Sequence, residues 1–264
     1  MSEARAGQGE PTLRQRLDVG RYALLLTLLA IIVVTAIGNP RFFSVSNFLN
    51  ILIQVSVLGI VAAGQTTLIV SAGLDLSVGA MLSVAGLVAA LTIAATGSSA
   101  LGMLAALAAG AFIGMVNGAL VSTNRATPFI VTLGTMTFLQ GVAVIISGGS
   151  PINGSGQLFD IFGLGTVFGI PGPVLALLAI VVIVQVYLRR SLLGRYGFAI
   201  GGGEDAARLA GVPVRRVKIA IYTLNGMIVG VGAIVLTGIL DSALPTMGNG
   251  YELRSIAAVV IGGI

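Results

Sequence analysis

The sequence predicts an all-α, polytopic bundle of membrane-spanning helices, and three observations carry the prediction. First, 56% of the 264 residues are hydrophobic and only 9% are charged, with a mean hydropathy of +1.05. Soluble domains carry about 25% charged residues, so no water-soluble fold hides this much apolar surface at this length. Second, the apolar residues come in runs of helix-spanning length, not in the alternating segments of about 10 residues that a membrane β-barrel shows. Third, the basic residues fall into a few gaps between those runs, as the positive-inside rule requires.

In chain order, residues 1–21 are polar, with Arg14, Arg16 and Arg21 approaching the first apolar run. They form a cytoplasmic N-terminal segment, and residues 22–264 form the transmembrane domain. Tyr22–Gly38 is the first span and Asn39-Pro40 breaks it. Phe48–Val70, Leu76–Thr96, Leu101–Val121 and Thr127–Ile146 follow as spans two to five. Residues 147–173 are rich in Gly, Pro, Ser and Asn and read as a loop or partly re-entrant segment. Val174–Leu188 is the sixth span and Ile219–Leu240 the seventh. Residues 241–254 read as a polar outer loop, and Ser255–Ile264 begins a partial eighth span. That last run is about half of the 20 residues a crossing needs, which suggests C-terminal truncation. An N-terminus in the cytoplasm puts twelve of the 14 basic residues inside and only Arg41 and Arg254 outside. The pI of 10.2 is thereby explained without nucleic acid; the bilayer is the partner.

The charged segment 189–218 organises the rest. It holds seven of the 14 Lys and Arg residues. Within it, Glu204 and Asp205 start a short helix, and Gly211 and Pro213 stop it. Ala206, Leu209 and Ala210 share one small-residue face suited to docking in a partner's groove. A helix merely resting on headgroups would favour Lys and Arg at its start instead of two acids.

The residues exclude most chemistry. There is no Cys and no His, so thiolate catalysis, disulfides and Ser/His or Cys/His pairs are impossible. No phosphate-binding loop is present, and the acids after Gly201-Gly202-Gly203 would repel phosphate. No metal cluster is visible. An enzyme reading therefore has little to stand on, and no cofactor is expected on this chain.

A set of uncharged polar residues within the spans remains. Asn117, Gln140 and Asn225, with Gln54, Gln65 and several threonines, suit either interhelical hydrogen bonds or a path for a neutral, polyhydroxylated solute. Asp75 lies between two apolar runs. It either caps the third span near the interface or acts in gating; a carboxylate at bilayer depth costs about 2.5–3.5 kcal/mol and needs a reason. Gly110, Gly114 and Gly118, and Gly226 and Gly230, recur every fourth residue, a spacing that lets helices approach closely.

Several ordered motifs resemble one family. Ala72-Gly73-Leu74-Asp75-Leu76-Ser77-Val78-Gly79, Phe129–Thr135, the segment Leu193–Val212 and Gly250-Tyr251-Glu252-Leu253 with Ile256–Gly263 are similar to the permease subunits of ribose-type monosaccharide ABC importers. The resemblance implies a homodimeric permease of the cytoplasmic membrane. It implies two partner ATP-binding cassette subunits, which carry the ATP and magnesium, and an extracytoplasmic sugar-binding protein. It places Glu204, Asp205, Ala206, Ala207, Arg208, Leu209, Ala210 and Gly211 in the loop that couples to the ATPase. The outer loops, with Arg41, Asp160, Asp241, Glu252 and Arg254, would face the binding protein. The family carries Asn where Gly203 stands and an acid where Arg254 stands, and it continues past Ile264. A stand-alone sugar carrier or channel, and a non-transporting scaffold, are the competing readings.

Overall fold

The computed structural model describes residues 19–153, 156–163 and 165–263. Most of the expected N-terminal segment lies outside the described residues. The chain divides into two units, residues 1–51 and 52–264. In the first, α1 (Val19–Gly38) ends in a turn where the Arg41 amide donates to Asn39 Oδ1 and Asn47 Nδ2 donates to the Phe42 carbonyl. Helix α2 (Val45–Ile69) begins there and continues into the second unit.

The second unit is a helical bundle. After α2 come α3 (Val78–Thr96), α4 (Ser99–Val121) and α5 (Pro128–Ser147). Each sits within a few residues of a span expected from the sequence. Left-handed Gly97 and Gly148 end α3 and α5, the conformation in which Gly escapes the Cβ clash. Pro128 opens α5, where its missing N–H is not needed. Then follow the two-residue strand β1 (Ile152–Asn153), a short helix α6 (Gln157–Gly163) and a small hairpin, β2 (Thr166–Val167) with β3 (Ile170–Pro171). Helix α7 (Gly172–Arg190) and α10 (Val214–Leu240) complete the long elements.

Among the described residues six helices, α2 to α5, α7 and α10, are long and apolar enough to cross a membrane. Helices α3 and α10 are central, with 72% and 67% of their best windows buried, against 17–28% for the other four. The glycine spacing read from the sequence is the α4–α10 seam. A Cβ on Gly110 would lie 2.2 Å from the Gly226 carbonyl oxygen, and one on Gly114 would lie 2.2 Å from that of Tyr222. Ile219 fills the space beside Gly118, and the Ala106 backbone that beside Gly230.

The bundle has two ends. At one end, the turn after α2 meets Gly201, and Asn124 meets Glu204 and Lys218. At the other, β1 pairs antiparallel with β4 (Ser242–Ala243), Gly163 of α6 packs on Gly238, and Gly156 lies against Ser99. Successive long helices from α2 to α10 therefore alternate in direction, as the span order requires.

Two segments depart from the sequence reading. Residues 192–202 form a helix, α8 (Leu192–Gly202), ahead of the short α9 (Glu204–Leu209). Its glycines weaken the helical signal, yet they are what packing demands. A Cβ on Gly201 would lie 2.0 Å from the Val70 carbonyl oxygen, and one on Gly194 would lie 2.5 Å from that of Tyr187. Ser191 caps α8 by accepting from the Gly194 amide at 2.8 Å.

The second departure is residues 241–254, which do not stay in an outer loop. After β4 the chain turns back into the bundle. The Gly248 amide donates to Ser83 Oγ at 3.1 Å, and Met247 lies on Gly86. Helix α11 (Tyr251–Ile261) starts there, part-way along α3, and runs about 16 Å toward the Lys218 end. Glu252 and Arg254 are thus set inside the bundle's length, not at its outer end.

Candidate functional site

Three residues picked out as lone polar positions converge around the turn 70–77. Asp75 is fully buried, as are Ser77, Asn117 and Asn225. Ser77 binds Asp75 Oδ1 twice, through its amide at 2.8 Å and its hydroxyl at 2.6 Å. Asn117 Nδ2 donates to Ser77 Oγ at 2.9 Å and, more weakly, toward the carboxylate at 3.4 Å. Asn225 Nδ2 reaches Asp75 Oδ2 at 3.4 Å. Thr135 Oγ1 donates to Asn117 Oδ1 at 2.7 Å. The result is a one-way relay of donors from α5 through α4 into the carboxylate.

The surrounding backbone is held as well. Thr132 Oγ1 accepts from the Leu76 amide at 3.1 Å, and the Tyr222 hydroxyl donates to the Leu74 carbonyl at 3.0 Å. Gln65 Nε2 donates to the Asp75 carbonyl. This knot ties α2, α4, α5 and α10 to one turn. Asp75 is not the N-cap of α3; Ser77 holds that position and makes no side-chain cap. Ser77 and Tyr222 were not picked out from the sequence, because a Ser and a Tyr in apolar runs carry no signal of their own.

Gln140 does not join. It lies exposed on α5, on the same face as exposed Leu133 and Val144. Of the outer-loop candidates, Asp160 is exposed on α6 and Asp241 is exposed at the left-handed end of α10. Arg41 is exposed in the first unit.

At the Lys218 end, Glu204 anchors α9. It accepts from Lys218 Nζ at 2.6 Å, from Asn124 Nδ2 at 2.7 Å and from Arg208 at 2.8 Å. Partial burial pushes the Glu204 pKa up. The Lys218 and Asn124 hydrogen bonds and the charges of Lys218 and Arg208 outweigh it, so the group sits below the usual carboxylate range. The clip therefore holds at neutral pH and is lost only on acidification through that lowered value. Ala207 is the buried foot of α9, at 4% exposure. Asp205, Ala206, Arg208, Leu209, Ala210 and Gly211 are exposed, Leu209 to 91%. Leu209 is thus an open apolar side chain on a helix that two hydrogen bonds, from Lys218 and Asn124, tie to neighbouring segments.

Residues 47–264 match the family model described as branched-chain amino acid transport system / permease component. The chain belongs to this permease family. It is 41% identical over 243 residues to the ribose import permease protein RbsC of Escherichia coli K12, covering 90% of this chain and 76% of that protein. It is 40% identical over 240 residues to RbsC of Bacillus subtilis 168, covering 90% of this chain and 74% of that one. The L-arabinose transport system permease protein AraH of Escherichia coli K12 is 34% identical over 267 residues, covering all of this chain and 81% of AraH. No solved structure matches the chain. The permease is thus a multi-pass protein of the inner membrane and a transport subunit.

Proposed function

We propose that this permease is the membrane-spanning subunit of an ATP-driven importer for a monosaccharide. The observation that carries the reading is the 41% identity to a ribose import permease over 90% of the chain. The family description mentions branched-chain amino acids, but the relatives at 34–41% identity are sugar permeases, which favours a sugar. The Lys218 end, with Arg125 and the seven basic residues of 189–218, faces the cytoplasm in this account. Two copies of the chain associate and dock two ATP-binding subunits through α9. The opposite end, with Asp160 and Asp241 exposed, receives an extracytoplasmic sugar-binding protein. Closure of the ATPase pair moves α9 and switches the side on which the path opens, as in alternating access.

A stand-alone carrier needs an accessible coupling carboxylate within the membrane. Asp75 is enclosed and hydrogen-bonded on both oxygens, which favours the importer.

The reading predicts a separation of stability from assembly at Leu209. Leu209→Glu alters an exposed side chain, so the melting temperature in detergent stays unchanged. Capture of the ATP-binding subunit falls by more than about tenfold, as expected for losing a central apolar anchor. Equal capture by both proteins would remove α9 from the interface.

A further inference from the structure

We infer that the groove between α4 and α5, with Arg125 at its mouth, is a binding site for an anionic phospholipid. The inference rests on the membrane-spanning fold and needs neither the sugar nor the ATPase of the importer reading.

The turn between α4 and α5 carries Arg125, and two clefts meet there. The first is a groove of about 590 Å³ that runs from Arg125 along the two helices. Buried Ile113 and Leu139 form its floor. Exposed Phe112 and Leu120 of α4, and Ile130 and Phe138 of α5, form its rims. Residues 112–120 and 130–138 each rise about 12 Å along their helix. One leaflet of a bilayer is about 15 Å of hydrocarbon, so the groove has the reach of an acyl chain in one leaflet. Thr135 also lines it, but the Thr135 hydroxyl is turned to Asn117 Oδ1 at 2.7 Å. What remains is an apolar surface suited to hydrocarbon. A Cβ on Gly134 would meet nothing within 4 Å, so the groove is open at that point.

The second cleft, of about 370 Å³, shares Arg125 and Ala126 with the groove and adds Asn124, Thr127, Glu204 and Lys218. Its one carboxylate, Glu204, is already bound by Lys218, Asn124 and Arg208. Arg125 is exposed and, among the described residues, forms no ion pair. It is therefore the surplus cation of the cleft. A guanidinium fork binds phosphate through two parallel hydrogen bonds, and basic sites between helices at the membrane surface hold anionic headgroups. A phospholipid meets both demands, with its phosphate on Arg125 and one acyl chain in the groove. The Asn124 and Thr127 side chains are at hand for the rest of the headgroup. Apolar burial alone would suit a second copy of the chain as well; the unpaired Arg125 is what favours a lipid.

The test titrates the full chain in detergent with dioleoylphosphatidylglycerol or dioleoylphosphatidylcholine. Native mass spectrometry counts bound lipid, and the melting temperature is read in parallel. Phosphatidylglycerol is expected to bind about fivefold tighter, the share of one basic side chain at an anionic surface, and to raise the melting temperature more. Arg125→Gln is expected to erase that preference and Arg125→Lys to keep part of it. Gly134→Leu projects into the open groove and is expected to weaken both lipids. Gly141→Leu is the control: Gly141 is exposed on the same helix outside the groove, meets nothing within 4 Å, and its substitution leaves both lipids unaffected. Arg125 and Gly134 are exposed, so their variants are expected to melt like the unsubstituted chain when no lipid is added. Equal binding of the two lipids, a preference that survives Arg125→Gln, or displacement by glycerol phosphate at the same concentration as the lipid would overturn the site. A drop in dimer with Gly134→Leu, at unchanged lipid binding, would overturn it too and give the groove to a second copy. Neither sugar nor ATPase enters the measurement, so failure of the importer reading leaves this result untouched.

Discussion

Asp75→Ala is expected to destabilise the permease by roughly 3–5 kcal/mol, the range for leaving several buried polar groups without a partner. The carboxylate is the common acceptor for Ser77, Asn117 and Asn225, all fully buried. Removing it strands donors from three elements at once, and no solvent reaches them. Asp75→Asn fills the same space but turns one acceptor into a donor facing Ser77 or the two Asn amides, so an intermediate loss is expected. Thr137→Ala is the control, since Thr137 is exposed and bonds only the Leu133 carbonyl of its own helix. Thermal unfolding in detergent, followed by loss of monodisperse protein, ranks the three. An Asp75→Ala protein as stable as Thr137→Ala would mean that the knot is dispensable.

The glycine seam gives the second large effect. Gly110→Ala and Gly226→Ala each place a methyl about 2.2 and 2.1 Å from a backbone oxygen of the facing helix. No side chain can rotate away, so α4 and α10 must separate. Overpacking of this kind costs about 1–3 kcal/mol, and more where backbone has to move. The double variant is expected to cost less than the sum, because one separation accommodates both methyl groups. Gly134→Ala and Gly141→Ala meet nothing within 4 Å and are expected to be neutral or to gain up to about 1 kcal/mol of helix propensity. Equal melting temperatures for the two pairs would contradict the seam.

The sequence was informative where a single residue or a short period carries the physics. Apolar runs located the long helices, because only a helix of about 20 residues satisfies its backbone in lipid. The period-four glycines announced a close seam, and Gly110, Gly114 and Gly226 form it. The outward face of Ala206, Leu209 and Ala210 followed from helical spacing and is exposed. The knot was only half legible. Asp75, Asn117 and Asn225 stand far apart in the chain, and each reads as one polar residue in an apolar span. Nothing in their spacing separates them from Gln140, which has the same chemistry on the exposed side of α5. The return of residues 244–250 into the bundle was illegible for a different reason. Polar composition reports that a segment avoids lipid, and a segment lining protein at mid-depth avoids lipid as well as an outer loop does. Helix α8 was missed because Gly194, Gly197 and Gly201 lower its propensity, while their value lies in tertiary contacts.

The central claim is that this chain moves a monosaccharide only when driven by a docked ATPase. The most direct measurement is labelled-sugar uptake into liposomes holding the permease, its ATP-binding subunit and its sugar-binding protein, with Leu209→Glu in parallel. Uptake that requires ATP and falls to background with Leu209→Glu is the predicted result. Uptake of equal rate without ATP, unaffected by Leu209→Glu, would contradict the account and make the chain a stand-alone carrier.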